Sequence, residues 1–400
     1  MSVQPAALDD PRTLNAEGVA ALTANDTARA AGLFARAAAA DPEASALWMN
    51  LAKARRLLGD GEGERASLTR ALEIDQRDFM ALVRMAELHE RLGEDADAAL
   101  RWSNVLALAP GLDSGNADFA HLVTHAGDFV ARTNADRAAV VDGALAEPRA
   151  RADPSMLRRF DACVDLSFGR RKIYTNECHG TFFPFLPADE FFDREYFPWF
   201  AALEARTEAI AAEFATLYAR GTDAFGPYVV QAPGTPANKW SPLSGSTDWS
   251  ALYLWRYGAR NDAACAACPK TAAAIEALPQ ATIPGRAPSA FFSVLKPRTR
   301  IPPHTGVTNT RAIVHLPLIV PQGCGFRVGG ETRAWRVGEA FAFDDTIEHE
   351  AWNDSDELRA VLIFDVWNPH LTGTERELLC DFFAASDTSG FRPALHDDAG

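Results

Sequence analysis

Residues 311–320 read RAIVHLPLIV, and this run decides the fold of the C-terminal half of the chain. It is apolar at almost every position, which indicates a strand buried on both faces. Past Gly221, similar short runs are separated by clusters of Gly, Pro and Ser: ALYLWRY at 251–257, SAFFSVL at 289–295, GFRVG at 325–329, TRAWRV at 332–337, EAFAFDD at 339–345, HEAWN at 349–353 and LRAVLIFDVW at 358–367. Short strands with frequent turns predict a sandwich or a barrel.

The N-terminal part of the chain has a helical pattern instead. From residue 14 to residue 110, alanine-rich segments of helical periodicity alternate with short polar turns. Turn residues recur every 34 residues, at Asn25-Asp26, Gly59-Asp60 and Gly93-Glu94. A small residue precedes a large one by four positions at Ala30 and Phe34 and at Ala98 and Trp102, whereas the middle repeat has Glu64 and Leu68. The region resembles tetratricopeptide repeats, in which each helix pair needs a neighbour to bury its apolar face.

The two patterns predict an α+β multidomain chain. We expect a tetratricopeptide-repeat solenoid at residues 1–112, a helical connector at 113–170 and a strand-rich domain at 171–400. Three repeats are about the minimum for a stable stack and present a concave surface, to which we expect a protein or peptide partner to bind. A capping or dimerising appendage is the alternative. Residues 187–219 have the pattern of a long amphipathic helix that is entered through a Pro- and Phe-rich turn and braces the sheet.

Composition limits the partners and the compartment. The 400 residues carry a net charge of −15, so general affinity for nucleic acid or an anionic membrane is not expected. The N-terminus lacks the pattern of a signal peptide and no apolar run is long enough to cross a membrane, so we expect a cytoplasmic protein. Of six scattered cysteines, Cys265 and Cys268 have the spacing of half a zinc site, but no second pair follows them.

Three histidines fall inside the strand-rich segment and suggest a metal site. They are His304 in IPPHTG, His315 in RAIVHLPLIV and His349 in DDTIEHEAWN. Imidazole ligands suit Fe, Zn, Ni or Cu, and their spacing alone does not choose among these metals. The iron oxygenase triad has a carboxylate two residues after its first histidine, and here that position is Gly306. Either a carboxylate comes from another strand, as Asp344, Asp345 or Glu348, or the site uses two histidines.

Arginines on the same strands indicate an anionic co-substrate. 2-Oxoglutarate carries two carboxylates, and at least the distal one needs a planar cation in a cavity. Arg359 begins an apolar run, where an inward charge is costly without an anionic partner. Alternate residues of a strand share a face, so Arg311, Ile313 and His315 point to one side. A solvated outer face for Arg311 is the competing interpretation.

Residues 291–321, 330–353 and 359–372 together resemble the aspartyl/asparaginyl β-hydroxylase family, most densely at 293–369. The resemblance implies a double-stranded β-helix (jelly-roll) enzyme that uses Fe(II), 2-oxoglutarate and O2. Such an enzyme releases succinate and CO2 while it hydroxylates a carbon. The expected substrate is an Asp- or Asn-type residue of a peptide or protein, or a related small molecule.

The family's site residues carry over position by position. The resemblance implies that His304 and His349 are catalytic iron ligands without a carboxylate, which accounts for Gly306. It implies that Ser293 and Arg359 bind the distal carboxylate of 2-oxoglutarate and that His315 lies near its 1-carboxylate. Arg311 matches an arginine that binds the substrate's carboxylate. The resemblance thus implies His304 and His349 as metal ligands, Ser293, His315 and Arg359 as co-substrate residues, and Arg311 as a substrate residue.

The chain departs from the family at one co-substrate position, where animal members have an arginine and this chain has Ile313. The acidic and basic substrate residues of the animal enzymes also have no counterpart near SPLSGSTDW. Three alternatives therefore stay open. The first is a non-catalytic metal-binding sensor or scaffold that binds partners through its repeats. The second is a halogenase-like enzyme with a halide in the place of the carboxylate, and the third is a zinc or nickel cupin using His304, His315 and His349.

Overall fold

A computed structural model describes residues 10–112, 116–221 and 224–390, except for the side chains of residues 154 and 155. The chain divides after Arg171 into two compact units, residues 1–171 and 172–400. The predicted finer boundary after residue 112 adjoins residues 113–115, which lie outside the described residues, and it stays a prediction.

The N-terminal unit is helical throughout its described part. Its helices are α1 (Pro11–Thr23), α2 (Thr27–Ala40), α3 (Ser45–Leu58), α4 (Gly61–Ile74), α5 (Phe79–Leu92), α6 (Asp95–Leu108), α7 (Ala117–Arg151) and α8 (Pro154–Ser167). The first six pack consecutively as three helix pairs, α1 with α2, α3 with α4 and α5 with α6. The predicted array of tetratricopeptide-like repeats is confirmed, and the 34-residue turn signature falls between the two helices of each pair.

Capping and packing explain why the repeats form. Gly59 and Gly93 end α3 and α5 in the left-handed conformation, with φ of 73° and 72°, which glycine adopts without strain. Ala30 and Phe34 are fully buried, so the small residue gives the large one its space. Glu64, the exception in the middle repeat, is also buried, because Arg91 binds both of its carboxylate oxygens at 2.8 and 2.7 Å.

The range predicted as a connector holds the long helix α7 and the shorter α8. Arg149 joins the two helices, since it binds Asp142 at 3.0 Å and Asp161 at 2.9 Å. Among the residues that the structure describes, no helix is both long and apolar enough to cross a membrane.

The C-terminal unit contains two antiparallel sheets. Its strands are β1 (Gly226–Pro227), β2 (Trp249–Arg256), β3 (Ala259–Arg260), β4 (Ala290–Leu295), β5 (Thr299–His304), β6 (Arg311–Ile319), β7 (Cys324–Val328), β8 (Glu331–Arg333), β9 (Phe341–Phe343), β10 (His349–Asn353) and β11 (Arg359–Trp367). The major sheet has the order β1-β2-β4-β11-β6-β9, with β3 paired to β2, and the minor sheet has the order β5-β10-β7-β8.

From β4 onward the chain passes back and forth between the two sheets. Strands β4, β6, β9 and β11 are in the major sheet, and β5, β7 with β8, and β10 are in the minor one. This alternation is the connectivity of the predicted double-stranded β-helix. A cluster of buried residues from both sheets, including Phe291, Phe326, Ala351 and Ile363, fills the space between them.

Helices cover the other face of the major sheet. They are α9 (Phe200–Glu204), α10 (Thr207–Ala219), α11 (Asp262–Ala267) and α12 (Pro269–Glu276), and α13 (Gly373–Ser389) follows the last strand. Phe214 of α10 packs against Phe292 of β4 with ring centroids 5.4 Å apart, so these helices brace the sheet as predicted. The single long helix predicted after the Pro- and Phe-rich turn was wrong, because two helices form there, α9 and α10, with a break at Ala205 and Arg206.

Candidate active site

His304 and His349 lie directly opposite each other on adjacent strands of the minor sheet, β5 and β10. Opposite residues of an antiparallel pair project to the same face. Their ring centroids are 4.0 Å apart. The structure therefore brings together the two histidines that the sequence predicts as metal ligands.

Backbone carbonyls fix both rings in the same tautomer. Nδ1 of His304 donates to the carbonyl of Pro302 at 2.8 Å, and Nδ1 of His349 donates to the carbonyl of Ile347 at 3.0 Å. Burial, and then the neighbouring His349, lowers the pKa of His304 well below its usual range, and burial lowers the pKa of His349 to about 4. Both rings are thus neutral at pH 7 and each keeps Nε2 as a free electron-pair donor, which is the form that binds a metal.

The carboxylate of Asp345 lies beside Gly306, the position at which the triad's carboxylate is absent. A Cβ at Gly306 would lie only 2.1 Å from Oδ2 of Asp345, and the amide of Gly306 donates to the carbonyl of Asp345 at 2.6 Å. Asp344 is not among the residues that line the cavity between the sheets. Its carboxylate accepts from Thr346 and from Asn176, at 2.6 and 2.7 Å, and forms the turn before β10.

The positions of the side chains do not favour a metal site with three protein ligands. In the described part of the C-terminal unit, no three His, Cys, Asp or Glu side chains place their ligand atoms within 4.8 Å of one another, so His315 does not complete a trio with His304 and His349. Such a group exists in the N-terminal unit at His89, Glu94 and Asp97. There Arg65 binds Glu94 through two contacts of 2.8 and 2.9 Å, which makes it a charge network of the repeats.

Arg359 begins β11 and is 1% exposed, with its guanidinium in the cavity between the sheets. Its Nη2 donates to Oγ of Ser293 at 3.3 Å, and it lies over the ring of Trp335 at 4.9 Å. Among the described residues no carboxylate pairs with it, and its Nε has no hydrogen-bond partner. Burial lowers the pKa of Arg359 to about 10, so it stays charged at neutral pH. A buried, charged and uncompensated guanidinium is a site for an anion.

His315 of β6 faces the same cavity and is enclosed by aromatic rings. It stacks on Trp335, with centroids 5.4 Å apart and planes at 14°, and contacts Phe326 and Phe343. Burial, and then the charge of Arg359, lowers its pKa well below the usual range. In the described structure its Nδ1 is buried without a hydrogen-bond partner, so this neutral ring can still bind a polar ligand atom.

Arg311 also points inward, as the strand pattern predicts, and not to solvent. It forms an ion pair with Asp365 of β11, whose side chain is 3% exposed. Asp365 accepts in addition from the amide of Ser289 at 2.9 Å. Arg359 and Asp365 both line the cavity, near opposite ends of β11. The ion pair of Arg311 and Asp365 therefore marks the end of the cavity away from Arg359. Ile313 lines the wall between Arg311 and His315.

These residues surround one cavity of about 550 Å³. Its aromatic lining comprises Tyr228, Trp240, Trp249, Phe291, Phe326, Phe343 and Phe364. The cavity is larger than a five-carbon dicarboxylate needs, so a second organic molecule also fits.

The part of the chain that forms this cavity matches a known protein family. A family model described as Aspartyl/Asparaginyl beta-hydroxylase matches residues 204–369, which include every predicted site residue. Residues 204–369 are therefore similar to the aspartyl/asparaginyl β-hydroxylase family. Human aspartyl/asparaginyl beta-hydroxylase is 42% identical over 133 residues, which are 33% of this chain and 17% of the human protein. The ornithine lipid ester-linked acyl 2-hydroxylase of Rhizobium tropici is 33% identical over 181 residues, 44% of this chain and 60% of that protein.

The chain thus spans less than two thirds of the length of these two relatives. A solved structure of the first tetratricopeptide repeat domain of Spaghetti, bound to an HSP90 peptide, is also similar to the chain. It is 18% identical with a TM-score of 0.27, and it covers 31% of this chain and 95% of the other.

Some cavity residues of the C-terminal unit carry no local sequence signal. His179, Lys239, Trp240, Trp249 and Asp365 lie in the cavity wall but come from segments far apart in the chain. Trp249 ends the TDW segment, and the Nε1–H of its indole donates to Ser293 Oγ at 3.2 Å. In contrast, Trp335 lies behind Arg359 as a core residue, which agrees with the burial preference of tryptophan.

Cys265 and Cys268 take no part in the cavity. Both are buried free thiols, Cys265 within α11 and Cys268 between α11 and α12. Burial raises the pKa of Cys268 to about 12, so its thiol stays protonated at neutral pH and is a poor metal ligand.

Proposed function

We propose that the C-terminal unit is an Fe(II)- and 2-oxoglutarate-dependent dioxygenase that hydroxylates a carbon atom of its substrate. The single observation that carries this proposal is the buried guanidinium of Arg359, which faces a cavity also lined by two neutral, oriented histidines. A dicarboxylate that reaches from the arginine to a metal on the histidines satisfies both ends of that cavity.

The anion end of the cavity is built for a carboxylate. Arg359 supplies a planar cation and Ser293 a hydroxyl, and these groups already lie 3.3 Å apart. Trp249 donates to the Ser293 oxygen, which leaves the hydroxyl hydrogen of Ser293 available for the ligand. The carboxylate gains charge-assisted hydrogen bonds and offsets the desolvation of the arginine, which is otherwise uncompensated.

The metal end would be held by His304 and His349 through Nε2. When bound, Fe(II) supplies the activation of O2 that couples oxidative decarboxylation of 2-oxoglutarate, to succinate and CO2, with hydroxylation of a carbon. The protein's own part is to keep the rings neutral and oriented through the Pro302 and Ile347 carbonyls. The surrounding aromatic side chains exclude water from the reacting groups.

A halogenase-like reaction is disfavoured by Asp345. A Cβ atom placed at Gly306 would lie 2.1 Å from Oδ2 of Asp345, so the carboxylate of Asp345 occupies the adjoining space. A halide bound there would meet a negative charge at short range in a cavity of low dielectric.

The substrate end is proposed to lie at Arg311 and Asp365. Arg311 would bind a carboxylate or amide of an Asp- or Asn-type residue, or of a related small molecule, while Asp365 fixes the guanidinium. We propose that the repeats of the N-terminal unit bind a protein or peptide partner and that the protein acts in the cytoplasm.

The test is anaerobic binding of Fe(II) and 2-oxoglutarate to the full chain, followed by succinate measurement after air is admitted. We expect wild-type protein to bind both and to release succinate, and His349→Ala to lose the iron and the succinate. His125→Ala, on the exposed surface of α7, is the matched control and should retain both. If the wild-type protein binds no 2-oxoglutarate, the domain is a sensor or scaffold and this proposal is wrong.

A further inference from the structure

The cavity wall contains a third cation besides Arg359 and Arg311. Lys239 lies in the loop between β1 and β2 and lines the cavity on the side of His304. Its Nζ donates to the carbonyl of Pro303, the residue before His304, at 2.7 Å. Its ammonium also lies 5.5 Å from the ring centroid of Trp240, and that ring is 5.0 Å from the ring of His304. Lys239 thus holds a positive charge beside the metal end of the cavity.

The loop that carries Lys239 is ordered by its own hydrogen bonds. Asn238 accepts from the amide of Trp240 at 2.8 Å and from the side chain of Gln231 at 2.9 Å. The amide of Asn238 donates to Ser241 Oγ at 2.9 Å, and Trp240 is 7% exposed. The base of the lysine is therefore fixed, and only its flexible stem must adjust to meet a ligand.

The three cations differ in their described partners. Arg311 already has a buried carboxylate, Asp365. Arg359 and Asp365 lie near opposite ends of β11, and Arg359 can bind only one carboxylate of a dicarboxylate. The partners of the Lys239 ammonium are a neutral carbonyl and an aromatic face, and no carboxylate among the described residues pairs with it. Of the three, Lys239 is placed to bind an anion next to the two histidines.

This location matches the second charge of the co-substrate. The two carboxylates of 2-oxoglutarate are separated by three carbon atoms, so when one is at Arg359 the other lies near His304 and His349. Ile313 of β6, which lines the same cavity, is apolar and offers no charge. We propose that Lys239 binds the 1-carboxylate of 2-oxoglutarate, an inference that rests on the function proposed above.

The test compares two ligands that differ at this carboxylate alone. 2-Oxoglutarate has a carboxylate at C1, and 4-oxopentanoate has a methyl group there with the same ketone and distal carboxylate. Binding of each to the full chain is followed by the fluorescence of the cavity tryptophans, Trp240 and Trp249, with and without Mn(II). We expect Lys239→Met to weaken 2-oxoglutarate binding by about tenfold and 4-oxopentanoate by less than about twofold, since one charge-assisted contact is lost.

Matched variants distinguish the loss of the positive charge of Lys239 from a general disturbance of the protein. Lys270→Met removes an exposed lysine of α12 outside the cavity, and we expect both affinities to be unchanged. Lys239→Arg should retain most of the 2-oxoglutarate affinity. Ile313→Arg in the Lys239→Met background should restore it, because a new cation then enters the same end of the cavity. Arg359→Met should weaken both ligands, because both carry the distal carboxylate.

The outcomes distinguish this inference from the proposed function. If wild-type protein binds both ligands and Lys239→Met leaves 2-oxoglutarate unchanged, or weakens both ligands equally, the role of Lys239 is wrong and the dioxygenase proposal stands. If wild-type protein binds neither ligand, the proposed function itself fails. An effect of Lys239→Met that persists without Mn(II) supports direct contact with the carboxylate, and one that vanishes without Mn(II) overturns it.

Discussion

Burial of the charged Arg359 side chain costs free energy in the ligand-free protein. It is 1% exposed, and its described polar contact is a single hydroxyl at 3.3 Å. Replacing an uncompensated buried charge by an apolar group of similar length removes that cost. We predict that Arg359→Met leaves the free energy of unfolding of the ligand-free protein unchanged or raises it.

The same variant should lose the stabilisation that 2-oxoglutarate gives to the wild-type protein. Denaturant unfolding with and without the ligand measures both quantities. Arg300→Met, which removes an exposed ion pair with Asp354, is the control and should change each by less than about 1 kcal/mol. A large loss of stability without ligand would show that Arg359 is mainly a structural residue.

The pair of Gly306 and Asp345 makes a second prediction at the residue scale. Any side chain at residue 306 meets the Asp345 carboxylate, with a Cβ contact of 2.1 Å. We predict that Gly306→Ala lowers the free energy of unfolding by about 1 to 3 kcal/mol through this overpacking. The double variant Gly306→Ala/Asp345→Gly should recover most of the loss. An equal loss in both variants, measured by denaturant unfolding, would show that the strain comes from the backbone.

Among the helices of the repeat module, two glycines at opposite extremes of packing allow a matched comparison. A Cβ at Gly18 of α1 would lie 2.6 Å from the ring of Phe34, whereas one at Gly32 of α2 would meet nothing within 4 Å. We predict that Gly18→Ala destabilises the repeats by about 1 to 3 kcal/mol. Gly32→Ala should stabilise them by roughly 0.5 to 1 kcal/mol, because alanine restricts the unfolded chain and favours the helix.

Thermal or chemical unfolding of the full chain, followed by circular dichroism at a helical wavelength, measures the two effects. Changes of the same sign in both variants would mean that the interhelical contact of Gly18 is not the deciding factor. The comparison tests directly whether small residues set the spacing of the helix pairs.

The elements show which structures a single sequence reveals. The helix pairs and strands such as β6 and β11 were predicted, because their periodicity and their turn residues are local properties. Strand β5, TRIPPH, was missed, since adjacent prolines argue against a strand. It forms at the edge of the minor sheet, where it pairs with β10 alone and the prolines remove few ladder hydrogen bonds.

The predicted site residues all lie on strands, although β5, the strand that carries His304, was itself missed. His304, His315, His349, Arg311 and Arg359 all line the predicted cavity. Lys239 and His179 were missed, because each belongs to a loop whose position depends on contacts with distant residues. His179, for example, is placed by its amide, which donates to the carbonyl of Gly306 at 3.2 Å. No periodic pattern encodes such a contact.

At the scale of the whole molecule, the buried histidines predict how stability changes with pH. The pKa values of His304, His315 and His349 are all lowered in the fold, to about 4 for His349, while unfolded histidine has a pKa near 6.5. Between these values the unfolded chain binds protons that the native protein does not. Stability of the metal-free protein should therefore fall as pH falls from 6.5 toward 4, by roughly 1.4 kcal/mol per pH unit for each proton.

Asp344 acts in the opposite direction. Burial raises its pKa to about 6, so the native protein retains a proton that the unfolded chain releases, and this group adds stability as pH falls below 6. Three histidines outweigh one carboxyl, and the net slope stays positive with pH. Denaturant unfolding at pH 7, 6 and 5 measures it, and His315→Asn should reduce the slope. A stability that rises on acidification would contradict the buried neutral state of the histidines.

The opposition of His304 and His349 across β5 and β10 has a consequence for the life of the folded chain. Strands β6 to β9 lie between the two histidines in sequence, and β5 is tied to its sheet through β10 alone. An ion shared by the two rings would therefore act as a reversible cross-link that closes a long loop, much as a disulfide does. We expect the supply of metal to set how long this domain resists proteolysis, as well as whether it can react.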